Sequence, residues 1–278
     1  MTEHQNGVAE PGESTAGRRV AVLDLNNGVA NLGLRSIVEL VETVGSTSDR
    51  ASVSVEVFDV RGKGEFPDTE FDAFISTGGP GSPYDGEGDP WETQYFEWLN
   101  RTHALNIPTL LICHSFELMI RYFGLASVDE RHSPSFGIFP VHPTPAAQDD
   151  SIFCKLDDPF YAADFRDWQV VGPDRARFKE LDAIVLAREK IRNHVPFERA
   201  IMAVRVGANM LGVQFHPEAS AHGMALYFQK DEKMKSVVKT YGADAFAKML
   251  ALLEKPGALE HTHTTVIPRF LSHALYCE

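Results

Sequence analysis

Apolar positions in this chain fall into short runs and stripes whose period changes along its length. Residues 19–25 are apolar enough for a fully buried strand, and 31–44 follow with Leu32, Ile37, Leu40 and Val41 at near-helical spacing, so a βα unit opens the pattern. Residues 53–60 alternate at period two and 71–77 form a short apolar run stopped by glycines; both predict strands. A Gly/Pro-rich loop over 78–90 leads into a helix predicted over 91–104, where Trp91, Tyr95 and Trp98 recur at helical intervals and read as core. The run Pro108-Thr-Leu-Leu-Ile-Cys113-His-Ser-Phe-Glu117 carries an apolar strand directly into an amphipathic helix. From Pro134 onward the pattern turns to short strands without long helices, at 136–142, 168–171, 183–188, 201–206 and 210–215. One amphipathic helix over 232–254 ends it, followed by what reads as an irregular C-terminal tail, and there is no internal repeat.

Alternating β and α elements followed by antiparallel strands predict an α/β fold. A mostly parallel central sheet is flanked by helices with added antiparallel strands, and the functional site lies at the carboxyl ends of the parallel strands. The 278 residues suit one domain, 19–255, between tails 1–18 and 256–278. The first 18 residues are polar, rich in Glu, Gly and Ser, and lack the apolar centre of a secretory signal, so a disordered tail is expected. No stretch approaches the roughly 18 consecutive apolar residues that cross a bilayer, which predicts no membrane partner and a soluble, cytoplasmic protein. The net charge of -13, without a basic stripe, argues against nucleic acid as a partner. Three scattered cysteines, Cys113, Cys154 and Cys277, fit a reducing compartment and leave a thiol free for chemistry.

Cys113 stands at the strand-to-helix junction, where a side chain projects above the sheet edge and the amides opening the helix stabilise a thiolate and later an oxyanion. Free cysteine is also among the most often buried residue types, so position alone does not decide between structure and chemistry. A second strand end decides for chemistry: Met210-Leu-Gly-Val-Gln-Phe-His216-Pro-Glu218 supplies a base of near-neutral pKa and, two residues on, a carboxylate to orient it, with Pro217 restraining the chain between them. The plainer reading of that segment is a capping turn with an exposed carboxylate. Gly78-Gly79-Pro80-Gly81 after the strand at 71–77 permits close backbone approach to a ligand; Gly79 N–H and His114 N–H are the two donors it predicts for an oxyanion. The loop lacks the Gly-Lys-Ser/Thr of a phosphate-binding Walker motif, and no cofactor is expected. Cys154 and Cys277 read as incidental. His261, His263 and His273 match no tight metal spacing and read as a solvated tail, so no metal is expected.

These segments, in this order, resemble the class I (triad) glutamine amidotransferases, most nearly a stand-alone type similar to the glutaminase domain of GMP synthase. The resemblance implies a flavodoxin-like sheet, Cys113 as nucleophile, His216 as base and Glu218 as its orienter. It also implies an amide substrate such as glutamine, and ammonia passed to a synthetase. Only 60 residues (278 minus 218) follow Glu218, so the acceptor is expected on a separate synthetase subunit. The family elbow usually reads Gly-x-Cys-x-Gly-x-Gln; here Leu111 and Ser115 take the glycine positions and Glu117 the glutamine, which would place Glu117 beside Gly78 and Gly81 among substrate-binding residues. Arg166, flanked by Asp164 and Asp167, reads as an exposed ion pair rather than a carboxylate binder. Alternatives to an amidotransferase are a γ-glutamyl hydrolase-like or acyl-transferring enzyme with the same triad, a non-catalytic regulatory subunit, and a metal-dependent hydrolase.

Overall fold

The computed structural model describes residues 17–29, 31–47, 52–190, 197–255 and 257–276. Its strands are β1 (Arg18–Asp24), β2 (Val53–Asp59), β3 (Ala73–Ser76), β4 (Thr109–Ile112), β5 (Ser127–Pro143), β6 (Phe160–Val171), β7 (Ala183–Glu189), β8 (Ile201–Val206) and β9 (Met210–Val213). The helices are α1 (Leu32–Thr47), α2 (Val60–Lys63), α3 (Pro90–Ala104), α4 (His114–Phe123), α5 (Arg175–Glu180), α6 (Ala221–Phe228), α7 (Asp231–Tyr241), α8 (Ala243–Glu254) and α9 (Ala258–Tyr276).

The strands lie in the order β2-β1-β3-β4-β9-β8-β6-β5-β7. The first five pair in parallel, and from β9 onward every pairing is antiparallel. Period two in the parallel strands divides their side chains between two cores. Val20 and Val22 of β1, Ile75 of β3 and Leu110 and Ile112 of β4 pack with Ile37 and Val41 of α1 and with Val266, Ile267, Phe270 and Leu271 of α9. Ala21, Leu23, Phe74 and Leu111 face the other way, onto Tyr95, Trp98 and Leu99 of α3 and Phe116, Met119 and Ile120 of α4. A sheet with apolar side chains on both faces is thereby covered by helices on both sides.

Several elements differ from their sequence pattern. β5 and β6 are much longer than the runs at 136–142 and 168–171, and pair over most of their length. β7 bonds to both β5 and β8, so β5–β8 close on themselves as a four-stranded antiparallel unit beside the parallel strands. Polar residues such as Asp164 and Arg166 interrupt the alternation there, because they face one another inside the unit rather than solvent. The helix expected over 232–254 is two, broken at Gly242, whose φ of 86° lies outside the helical range. The expected irregular tail is instead α9, with Leu259, Thr262, Val266, Ile267 and Leu271 fully or almost fully buried. Pro268 and the His-Thr-His-Thr-Thr run mask its periodicity in the sequence, but the threonines and histidines bond locally and to neighbours: Thr262 Oγ1 donates to the Tyr161 carbonyl at 2.7 Å and His261 Nε2 lies 2.9 Å from the Lys155 carbonyl. Leu32, the first residue of the stripe at near-helical spacing, is 53% exposed. Residues 1–16 of the expected N-terminal tail and Cys277 lie outside the described residues, and β1 already begins at Arg18. Among the described residues no helix is long and apolar enough to cross a membrane, and no group of three or more His, Cys, Asp or Glu is placed to hold a metal ion.

Candidate active site

The parallel strands follow the order β2-β1-β3-β4-β9 of a doubly wound sheet, with α1 on one face and α3 on the other, so the direction of winding reverses between β1 and β3. The loops leaving two such strands diverge and open a crevice at their carboxyl ends. A cavity of about 450 Å³ occupies that crevice. Asn26 and Leu32 border it from the β1 side, Gly78 and Gly79 from the end of β3, Cys113 from β4, His216 and Glu218 from the chain after β9, and Phe165, Met224 and Tyr227 from across the mouth.

Cys113 links β4 to α4 with no intervening residue and holds φ 52°, ψ -105°, a conformation that costs a side chain on the order of 1–3 kcal/mol. Parallel pairing fixes it from below, since its N–H donates to the Val213 carbonyl at 2.7 Å, and its own carbonyl accepts from the Glu117 N–H at 3.0 Å as α4 begins. Gly212, opposite Leu111 on β9, leaves room for α4: a Cβ there would lie 2.4 Å from the Phe116 ring. Two of the three departures from the elbow motif have packing roles. Leu111 is buried in the core beneath α4, and Ser115 Oγ donates to the Thr77 carbonyl and lies 2.8 Å from Ser76 Oγ, which in turn meets Tyr95 OH at 2.9 Å.

His216 is held from three directions. Its N–H donates to the Ala163 carbonyl at 2.9 Å, its ring packs on Phe165 with centroids 5.5 Å apart, and its Nδ1 lies 2.8 Å from Glu218 Oε1. With Nδ1 committed to the carboxylate, Nε2 is the nitrogen left to deal with Cys113. The ring and the thiol are neighbours across Gly78: a Cβ on that glycine would lie 3.1 Å from His216 Cε1 and 3.4 Å from Cys113 Cβ, so a side chain there would press on the imidazole. Burial works against an imidazolium, but the Glu218 carboxylate and then the Cys113 thiolate outweigh it and hold the His216 pKa well above its ordinary value. Burial pushes the Cys113 thiol up, and His216 opposes that push.

Gly79 also has no room for a side chain, since a Cβ would meet the Leu25 carbonyl at 2.6 Å. Neither the Gly79 N–H nor the His114 N–H is taken up by a hydrogen bond among the described residues. The His114 ring is buried away from the cavity, and burial first, then Arg61, lower its pKa to about 3, so it stays uncharged.

Three residues sit elsewhere than the sequence suggested. Glu117 does not line the cavity: α4 turns it into the protein, where its Oε1 accepts from Gln214 Nε2 at 2.9 Å. Gly81 is off the cavity wall too; its φ of 92° and the closeness of Asp85 mark a turn. Arg166 is buried rather than exposed, with Nε donating to Asp164 Oδ1 at 2.9 Å and Nη2 to Glu189 Oε2 at 3.3 Å.

The sequence reading missed the amino end of α1. Ser36 Oγ donates to the Glu218 carbonyl at 2.6 Å, and a Cβ at Gly33 would lie 2.9 Å from Glu218 Oε1. The first turn of α1 therefore abuts the carboxylate that holds His216, where a helix start favours negative charge. Asn31 Nδ2, bonded to Asn26 Oδ1, links this turn back to β1. The polar cluster Asn26, Asn31, Ser36 around Gly33 was the available signal.

The family model of glutamine amidotransferase class-I matches residues 36–233, and the chain belongs to that family. Solved structures with the same fold include a glutamine amidotransferase of Thermotoga maritima, at 18% identity over 94% of this chain and 99% of that one with a TM-score of 0.67. A protein of Thermoplasma acidophilum described as a GMP synthase subunit is 14% identical over 86% of this chain and 95% of its own, with a TM-score of 0.52. The glutaminase domain of Trypanosoma brucei CTPS, with acivicin bound, is 14% identical over 73% and 87%, with a TM-score of 0.54. No curated protein sequence matches the chain.

Proposed function

We propose that the chain is a glutamine amidotransferase-type enzyme that hydrolyses the side-chain amide of glutamine or a close analogue through a thioester on Cys113. The observation that carries this reading is the His216–Glu218 contact of 2.8 Å in the wall of the cavity that Cys113 also lines. His216 takes the Cys113 proton, the thiolate attacks the amide carbon, and the tetrahedral oxyanion is received by the Gly79 and His114 N–H groups. His216 then delivers its proton to the leaving nitrogen and ammonia departs. Water, deprotonated by the same ring, attacks the thioester; the acid is released and the thiol restored. Glu218 holds the Nδ1–H tautomer throughout. Lys230 also lines the cavity, and its ammonium is the partner for the α-carboxylate of an amino-acid substrate. Ammonia is used by a separate synthetase, in keeping with structural relatives that include a glutaminase domain and a synthase subunit.

The γ-glutamyl hydrolase-like alternative depends on Glu117 as a substrate-reading residue, and Glu117 lies off the cavity wall. The test is labelling with a glutamine-mimicking diazoketone followed by peptide mapping. An adduct confined to Cys113 and blocked by glutamine supports the reading; a reagent that leaves Cys113 untouched while iodoacetamide alkylates it removes glutamine as the substrate.

A further inference from the structure

Behind Cys113, on the side away from the cavity, lies a buried polar group that the reaction above does not use. Gln214 Nε2 lies 2.9 Å from Glu117 Oε1 and 3.9 Å from Cys113 Sγ, so one amide joins the carboxyl group to the thiol, and Gln214 Oε1 is buried without a partner. The groups packed against Glu117 come from several elements. β6 presents Arg166 and Asp164, the chain after β9 presents Gln214 and His216, and Arg121, one turn further along α4, is turned outward to Glu92 and Glu87. Arg166 bonds directly to Asp164 and to Glu189, which it shares with Arg131, and acts on Glu117 only through its field. Glu117 itself makes no salt bridge among the described residues. A buried carboxyl without its own cation is retained as the neutral acid far more readily than as the anion.

We infer that Glu117 is a positioning residue which, from behind the sheet and through Gln214, sets the ease with which Cys113 becomes a thiolate: neutral Glu117 leaves the thiol easy to ionise, and charged Glu117 holds it back. This rests on Cys113 being the reactive residue. It replaces the role of a substrate-binding side chain with one that never touches substrate. Burial first, against the Gln214 hydrogen bond and Arg166, raises the Glu117 pKa to about 7, and the Glu117 charge in turn raises that of Cys113. The proton on Glu117 is therefore exchanged in the same pH range in which the thiol is called on. Two interacting sites titrate together over a range broader than a single group.

The experiment is the rate of Cys113 alkylation by iodoacetamide as a function of pH in the whole protein, compared with Glu117→Gln and Glu117→Asp. The glutamine keeps an acceptor for Gln214 Nε2 but removes the charge. The expected result is a broad rise for the wild type and the aspartate variant. The glutamine variant is expected to show a narrower rise displaced to lower pH, alkylating about 3- to 10-fold faster at pH 7. Coincident curves for wild type and Glu117→Gln overturn the inference. If Glu117→Gln loses its far-UV circular dichroism, carbon-13 spectra of the wild-type glutamate carboxyls decide instead. One glutamate titrating near neutrality, with a midpoint that moves when Cys113 is alkylated, supports the coupling; glutamates that all titrate in the ordinary carboxylate range refute it. Failure of the diazoketone to label Cys113 removes the glutamine reading alone, because the iodoacetamide curves need no substrate.

Discussion

At the scale of single residues, the site depends on which atoms each side chain has left after its structural bonds are made. Cys113→Ser keeps the backbone bonds to Val213 and Glu117, so the fold is expected to survive by circular dichroism while glutamine turnover falls about ten-thousand-fold or more. His216→Ala removes the cationic partner of the thiolate, and alkylation of Cys113 near pH 7 is expected to slow. A folded-state effect of Glu117 has a definite sign. Its folded pKa of about 7 exceeds the usual carboxyl value, so between about pH 4.5 and 7 the folded protein binds more protons than the unfolded one and stability falls as pH rises. Denaturant unfolding of Glu117→Gln is expected to lack that decline.

At the scale of elements, what was legible in the sequence were the segments whose apolar pattern is dictated by one regular environment. β1, β3, β4 and β9 are largely apolar and buried on both faces, and α1, α3 and α4 carry stripes matched to one side of the sheet, so each was readable from its own residues. Cys113, His216, Glu218 and Gly78 were readable for a related reason: each belongs to a short segment at a strand end, and the structure brings them to one cavity. Glu117 was assigned to the substrate from its place in the resembled motif alone, and a motif position does not say which way α4 turns the side chain; here it meets Gln214 instead of the cavity. Packing of these elements gives a sharp stability test. Gly212→Ala places a methyl against Phe116 and Met119, and a loss of about 1–3 kcal/mol is expected by denaturant titration, with α4 and Cys113 displaced together.

Over the whole molecule, the parts the sequence left obscure are those stabilised from a distance. The closed set β5–β8 takes its polar alternation from a buried ion cluster that no local window discloses, and α9 hides its apolar stripe among threonines, histidines and a proline. α9 covers the face of β1, β3 and β4 that α1 leaves open, so the expected irregular tail is part of the main core. Phe270→Ala is accordingly expected to cost about 3–5 kcal/mol and to lower the melting temperature, whereas an unchanged melting temperature would detach α9 from the fold.

The positive φ at Cys113 carries a consequence for how this molecule divides its resources between endurance and reactivity. The residue occupies a conformation in which any side chain is a liability, and glycine alone is at ease there. Cys113→Gly should melt at a higher temperature than Cys113→Ala, since both lose the sulfur and only one sheds the strain. The most durable version of this protein would then be one with nothing at the elbow to react.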